Sequence, residues 1–144
     1  MLKLFYVIFM NLKRAPYIIP KMRYEANHPK KYSEEERYSL VKYCIDLMNK
    51  SGKIETIAYG YENLPKDENV LFIANHSNWI DGLILPAIVD RPTGMIIAKE
   101  ANWEKFKFID NWLKLINCVY MDRKNTREGL KAIQEATNIL ENTS

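Results

Sequence analysis

The sequence predicts an α/β fold with a mostly parallel sheet, flanking helices and an amphipathic helical segment at the N-terminus. From residue 54 onward, short apolar stretches bounded by turn residues alternate with helical patterns, as in βα units whose strands run parallel. The chain has 144 residues, of which 47% are hydrophobic. It is therefore long enough to bury the core of one domain.

The N-terminal segment combines a helical apolar pattern with positive charge. Residues 1–31 contain seven Lys or Arg and a single acid, Glu25. Large apolar side chains recur at helical spacing, at Leu2, Phe5, Phe9 and Leu12. The apolar run 4–10 is far shorter than the ~20 residues that span a bilayer. The pattern predicts either an amphipathic helix on an anionic membrane surface or a helix that packs on its own domain.

Two helical segments are predicted before the α/β alternation begins. Three prolines interrupt residues 15–32, which we interpret as a connector or a bent helix pair. A clear helix follows, because Ser33 and Glu36 form a capping box and Gly52 follows the helix end. The expected buried face of this helix carries Tyr38, Val41, Ile45 and Met48.

The remaining elements are four short strands and three helices. The predicted strands are "KIETIAYGYENLP", which closes at Gly60 and Pro65, then Val70–Ala74, "GMIIAKE" and "CVYMDR". One helix is expected from Ile80 to Val89, and Pro86 would kink or shorten it. The other two helices have predicted apolar faces at Phe106, Ile109, Trp112 and Leu113, and at Leu130, Ile133 and Thr137. Asn125 and Glu128 would cap the last helix, which runs to about Leu140.

The stretch "NVLFIANHSNWIDGLIL", residues 69–85, places His76 and Asp81 in the most apolar part of the chain. Burying an ionisable pair is costly unless the two groups are paired and hydrogen-bonded. Five helical positions correspond to about 500° of rotation. The two side chains can therefore meet only if His76 lies in a turn after the strand and Asp81 in the first turn of the next helix. Sites in α/β folds lie at such carboxyl ends of parallel strands.

A pair of this kind predicts general-base chemistry. The Asp81 carboxylate would accept a hydrogen bond from one ring nitrogen of His76, and the other nitrogen could take a proton from a hydroxyl. No GxSxG elbow surrounds Ser77, so direct attack by a substrate hydroxyl fits better than a serine acyl-enzyme. Taken alone, the HxxxxD spacing favours a structural histidine that a carboxylate satisfies.

The cysteine and histidine content argues against several other kinds of site. Cys44 and Cys118 lie far apart without CxxC spacing, which disfavours a disulfide framework and a zinc site and fits a reducing compartment. The chain has two histidines, His28 and His76, so a metal centre with several His ligands is not expected. We predict no metal site.

Three segments together resemble the glycerophospholipid acyltransferase family, and within it the bacterial 1-acyl-sn-glycerol-3-phosphate acyltransferases. "ANHSNWIDGLIL" matches the family's NHxxxxD block through Asn75, His76 and Asp81. "VYMDRKN" matches its second block, a strand that ends in an Asp-Arg pair, through Asp122 and Arg123. The linking segment "IIAKEANWEKFKFIDNWLKLIN" is also similar, and the resemblance covers roughly residues 54–140.

The resemblance implies acyl transfer from acyl-CoA or acyl-carrier protein to the hydroxyl of lysophosphatidate, with no further cofactor. His76 would deprotonate the acceptor hydroxyl, Asp81 would orient His76, and Arg123 would hold the acceptor phosphate. A guanidinium near a strand end suits that last role, although Arg123 could instead pair with Asp122 or Glu128. Asn75 and Lys99 are further substrate-binding candidates, and Lys99 is equally explained as a solvated charge.

The resemblance also bears on the boundaries of the chain. The family's third block, an FPEGT-type phosphate-binding turn, is expected after "ATNILENTS" and is not present in the sequence. We therefore interpret residues 33–144 as the N-terminal part of an acyltransferase domain, truncated before that block and with an incomplete sheet. Because the substrates are membrane lipids, residues 1–32 are interpreted as a membrane-interface segment. The expected location is peripheral, on the cytoplasmic face of the cell membrane.

Two other functions are compatible with the same residues. One is a membrane-peripheral lipid-binding module in which the His-Asp pair is structural. The other is a thioesterase-like hydrolase that uses the pair to activate water. Nucleic-acid binding is not predicted, because no nucleic-acid motif accompanies the basic N-terminal stretch. The oligomeric state does not follow from the sequence.

Overall fold

The computed structural model describes residues 2–66, 68–75 and 81–142, and at residues 2–5, 81 and 83 it describes the backbone alone. The helices within these residues are α1 (Leu2–Asn11), α2 (Ala15–Asn27), α3 (Glu34–Gly52), α4 (Asp81–Ile88), α5 (Lys107–Leu115) and α6 (Thr126–Asn142). The strands are β1 (Ile96–Ala98) and β2 (Val119–Met121). The predicted α/β class, with a parallel sheet and an N-terminal helical segment, is confirmed.

The central helix is α3, against which α1, α2, α4 and α5 all pack. Its start is the predicted capping box: the Ser33 hydroxyl accepts the Glu36 N–H at 3.2 Å, and Glu36 Oε2 accepts the Ser33 N–H at 2.7 Å. Its end is set by Lys53, which adopts the left-handed conformation at φ 50°. Tyr38, Val41 and Ile45 are buried, as predicted.

The main hydrophobic core joins α2, α3 and α5. Met22, Val41 and Leu115 are almost completely inaccessible to solvent, with exposures of 1%, 0% and 0%. Arg37 crosses this core and donates from Nη1 to the carbonyl of Leu115 at 3.3 Å and to Asn117 Oδ1 at 2.9 Å. The start of α3 is thereby tied to the turn between α5 and β2.

The N-terminal helices contribute to this packing with one side each. In α1, Val7 is buried, and the Asn11 side chain donates to Ser51 Oγ on α3 at 2.8 Å. In α2, Ile18 and Met22 belong to the core cluster. Residues 15–27 thus form a single helix that contains Pro20, joined to α1 by a 3-10 turn at Leu12–Arg14.

The sheet consists of β1 and β2, which run parallel with Ile96 opposite Val119. Gly94 allows the two strands to approach, because a Cβ there would lie 2.9 Å from the carbonyl oxygen of Ile116. The other two predicted strands are wrong, since neither 54–60 nor 69–75 forms a strand. In 70–73 burial alternates: Val70 and Phe72 are half-buried, whereas Leu71 and Ile73 are 71% and 91% exposed. The segment has strand-like periodicity but makes no sheet ladder within the described residues.

Helix α6 packs on β2 through small side chains. Ala132 is buried, and Gly129 and Ala136 on the same side are half-buried. The predicted apolar face is wrong, because Leu130 and Ile133 are 56% and 51% exposed and Thr137 is also exposed. Small residues allow closer approach of the helix to the strand, so they occupy the contact in place of the larger ones. In the α5 region Phe106, predicted to be buried, precedes the helix and is exposed.

None of the helices in the described ranges is both long enough and apolar enough to cross a bilayer.

Substitutions on the buried and on the exposed side of the N-terminal helices should differ in their effect on stability. Met22→Ala should lower the free energy of unfolding by about 2–5 kcal/mol, because it removes a fully buried side chain from the core. Phe9→Ala should change it by less than about 0.5 kcal/mol, because Phe9 is 72% exposed. Urea unfolding followed by circular dichroism measures both values. Equal effects of the two substitutions would contradict this description of α1 and α2.

Candidate active site

The carboxyl ends of the two strands lie side by side at one edge of the sheet. Ala98 pairs with Met121 at the last position of the parallel ladder. Lys99 directly follows β1, and Asp122 and Arg123 directly follow β2. The register therefore brings Lys99 and Arg123, which are distant in the sequence, to the same edge of the sheet.

The turn from β2 into α6 is fixed by side-chain hydrogen bonds to the backbone. Asp122 Oδ1 accepts the Lys124 N–H at 2.9 Å, and Asn125 Oδ1 accepts the N–H groups of Arg127 at 3.1 Å and Glu128 at 3.3 Å. Asn125 is therefore the helix cap that the sequence predicted. Of the capping box, however, only this half is seen, because the Glu128 carboxylate instead contacts Lys131 Nζ at 2.8 Å.

Arg123 lies between these two tied residues, and its side chain is exposed. The pairing partners proposed for it are engaged elsewhere, Asp122 with the Lys124 backbone and Glu128 with Lys131. Within the described part of the chain, Arg123 makes no hydrogen bond or ion pair. The guanidinium is available to an anion beside the N-terminus of α6, where the helix dipole also favours negative charge.

Lys99 begins a 3-10 turn, Lys99–Ala101, that leaves β1. Its side chain is exposed and makes no hydrogen bond or ion pair among the residues that the structure describes. The turn ends at Asn102 in the left-handed conformation, φ 53°. Lys99 shares the sheet edge with Arg123, and its role in substrate binding stays a prediction.

Asn75 and Asp81 are the residues of the NHxxxxD sequence that the structure describes. Asp81 is the first described residue of α4, so the predicted helix is confirmed over Asp81–Ile88, and its predicted first residue, Ile80, lies outside the described residues. Asn75 is exposed at the end of the segment 69–75. His76 lies outside the described residues, as does its predicted contact with Asp81. The structure thus gives the backbone position of the aspartate and of the residue before the histidine.

The C-terminal end of α4 is held against α3 by polar contacts that the sequence did not reveal. The Tyr38 hydroxyl donates to the carbonyls of Pro86 at 3.3 Å and Val89 at 3.2 Å. One turn further along α3, Lys42 Nζ contacts Asp90 Oδ1 at 2.7 Å. Tyr38 was predicted only as a core residue, and its i, i+4 spacing from Lys42 was the available signal that the two share a face.

The cysteines are unsuited to nucleophilic catalysis. Burial raises the pKa of the Cys44 thiol to about 11 and that of Cys118 to about 12. At neutral pH both side chains are therefore thiols, and the thiolate is the nucleophilic form. Both are free cysteines.

The model of the family described as Acyltransferase matches residues 55–144. This match covers more than half of the chain, so the chain belongs to the acyltransferase family. The matched range contains α4, the sheet, α5 and α6, and with them all five predicted site residues. The family resemblance drawn from residues 54–140 is confirmed.

Two curated relatives carry the name of a particular kind of acyltransferase. The chain is 30% identical over 116 residues to a protein of Mycoplasma pneumoniae named "Probable 1-acyl-sn-glycerol-3-phosphate acyltransferase", covering 78% of this chain and 42% of the relative. It is 28% identical over 127 residues to a protein of the same name from Mycoplasma genitalium, covering 85% of this chain and 46% of the relative. The chain thus spans less than half the length of these relatives. No solved structure matches significantly.

Proposed function

We propose that the protein transfers a fatty acyl group from acyl-CoA or acyl-carrier protein to the hydroxyl of lysophosphatidate in phospholipid biosynthesis. The observation that carries the proposal is the family match over residues 55–144, within which the aspartate of the NHxxxxD sequence, Asp81, lies in helix α4. Two relatives named for this reaction support it. Arg123, exposed and unpaired at the sheet edge among the described residues, provides a group suited to the acceptor phosphate.

In the proposed mechanism His76 acts as the general base. Its unprotonated ring nitrogen takes the proton of the acceptor hydroxyl while the oxygen attacks the thioester carbonyl carbon. Asp81 accepts a hydrogen bond from the other ring nitrogen, fixing the tautomer and stabilising the imidazolium. The tetrahedral intermediate then expels the donor's sulfur as the leaving group, and His76 returns the proton to it. The products are the diacyl lipid and the free thiol.

Substitution of the proposed base should abolish transfer without unfolding the protein. His76→Ala should lower kcat/KM at least about 100-fold, the usual contribution of general-base catalysis, and Asp81→Asn should lower it as well. His28→Ala is the matched control, because His28 is exposed and its Nδ1 contacts the carbonyl oxygen of Tyr24 at 2.8 Å, outside the proposed site. The assay follows radiolabelled acyl groups into phosphatidate with the protein at its full natural length.

The same assay separates the alternatives. Robust transfer by the His76→Ala variant would contradict the base assignment. Release of free thiol in the absence of acceptor, dependent on His76, would instead indicate a thioesterase. Membrane binding without turnover by any combination of donor and acceptor would indicate a lipid-binding module with a structural His-Asp pair.

The proposed role of Arg123 predicts a selective loss of acceptor binding. Arg123→Lys should raise the KM for lysophosphatidate about tenfold, because an ammonium cannot form the bidentate contact that a guanidinium makes with phosphate. Arg127→Lys is the matched control, since Arg127 is exposed on the first turn of α6. Monoacylglycerol, which lacks the phosphate, should be used equally poorly by both variants and the wild type. Equal KM values for lysophosphatidate in the two variants would contradict the role of Arg123.

We also propose that the exposed side of the N-terminal helices binds the anionic surface of a membrane. Seven large apolar side chains there are exposed: Tyr6, Ile8, Phe9, Met10, Leu12, Tyr17 and Ile19. Two of them, Leu12 and Ile19, line an apolar groove together with Pro16. Exposed basic residues accompany this surface, at Lys13, Arg14, Lys21 and Arg23. Apolar groups rimmed by Lys and Arg are the chemistry of an interfacial helix on anionic lipid.

This surface supports a peripheral location, and the lipid substrates and free cysteines fit the cytoplasmic face of the cell membrane. Deleting the helices would not test it, because Ile18 and Met22 belong to the core. Point substitutions on the exposed side are the suitable probe.

Phe9→Ser combined with Leu12→Ser should weaken binding to phosphatidylglycerol vesicles at least about tenfold, because each large apolar side chain contributes roughly 1.5–3 kcal/mol when buried. The matched control is Leu130→Ser combined with Ile133→Ser, which removes two similarly exposed apolar side chains from α6. Vesicle flotation measures the bound fraction. Equal loss of binding in the two double variants, or none in either, would contradict the assignment of the N-terminal surface.

A further inference from the structure

Arg91 makes three hydrogen bonds to the backbone of one short loop. Its Nη2 donates to the carbonyl of Pro65 at 2.8 Å, and its Nη1 donates to the carbonyl of Glu68 at 2.8 Å and more weakly to that of Lys66 at 3.5 Å. Arg91 lies just after the end of α4, and the loop lies just before the segment 69–75. The guanidinium therefore joins two parts of the chain that flank the NHxxxxD sequence.

Both sides of this junction are anchored to other elements. On the loop side, the Asn69 side chain donates to the carbonyl of Leu140 near the end of α6 at 2.6 Å. On the α4 side, Asp90 contacts Lys42 on α3 at 2.7 Å. Arg91 thus joins the loop before residue 69 to the end of α4, and these two places are also tied to α6 and α3. Asn75, His76 and Asp81 all lie between them in the sequence.

The contact uses the shape of the guanidinium. Its acceptors among the described residues are three backbone carbonyl oxygens. Arg has five N–H donors in a rigid planar fork, so it can reach several carbonyls in fixed directions. A lysine at this position keeps the charge but presents one small ammonium, which cannot hold Pro65 and Glu68 in the same geometry.

We propose that Arg91 is a positioning residue for the acyl-transfer site. By joining the loop before residue 69 to the residues after α4, it fixes the segment that ends at Asn75 relative to the helix that carries Asp81. A histidine base must keep hydrogen-bond distance to both its aspartate and its substrate, and small displacements at such a site reduce turnover strongly. The expected loss of turnover rests on the proposed function, whereas the expected effect on the surroundings of His76 does not.

Arg91→Lys is the informative substitution because it conserves the charge. In the protein at its full natural length, it should lower kcat about tenfold or more while changing the KM for donor and acceptor less than about threefold. Arg127→Lys provides the matched conservative control and should behave as the wild type. Met22→Ala, which destabilises the core away from this loop, shows what a loss of stability alone does at a temperature where all variants are folded.

A second measurement does not depend on activity. The chain has two histidines, so each ring can be followed by NMR in a ¹⁵N-histidine-labelled sample as a function of pH. Arg91→Lys should shift the His76 titration by about 0.5 pH unit or more, as expected when a partner of the ring is displaced, and should leave the His28 titration unchanged. His28 directly follows α2, and its ring stacks on that of Tyr24 with the ring centroids 4.4 Å apart. It therefore serves as an internal reference.

The two measurements separate failure of this inference from failure of the proposed function. Unchanged kcat and an unchanged His76 titration in Arg91→Lys would overturn the inference. A kcat loss of equal size in Met22→Ala would also overturn it, because stability alone would then explain the effect. If the wild type transfers no acyl group, the proposed function fails. A selective shift of the His76 titration would still support the positioning role of Arg91.

Discussion

The packing of α3 is the constraint on which the rest of the structure depends. Its buried positions Tyr38, Val41 and Ile45 meet α2, α4 and α5, and its polar residues extend that contact to the loops. Arg37 reaches the turn before β2, while the Tyr38 hydroxyl and Lys42 hold the end of α4. One helix therefore orients both the sheet and the helix that carries Asp81, and a displacement of α3 would move the two together.

The candidate site combines residues from two separate parts of the chain, the ends of the strands and the NHxxxxD sequence. The parallel pair of strands brings Lys99 and Arg123 to one edge, because both residues follow the carboxyl end of a strand. The parts of the chain on either side of the NHxxxxD sequence are joined by Arg91, and Asn69 ties the preceding part to α6. Since α6 also begins next to Arg123, this helix has the phosphate-binding candidate near its start and the contact with Asn69 near its end.

Local signals predicted the elements that depend on local physics. The capping box at Ser33, the cap at Asn125 and the helix that carries Asp81 were all predictable, because each depends on neighbours within about one turn of chain. Strands at 54–60 and 70–74 were predicted from short apolar stretches and did not form, because a strand exists only where another strand supplies a ladder. The face of α6 was mispredicted for a related reason, since the position of β2 decides which side of the helix is buried, and that side carries Ala132.

The sequence by itself determined the family, the motif residues and the amphipathic character of the N-terminal helices. These are properties of residue types and spacing, and they persist whatever the chain packs against. Only the tertiary structure decided that α2 contributes Met22 to the core while Phe9 and Leu12 remain exposed. It also decided that Arg91 contacts the carbonyls of Pro65 and Glu68. Contacts between residues distant in the chain depend on the orientation of whole elements, and no local spacing encodes that orientation.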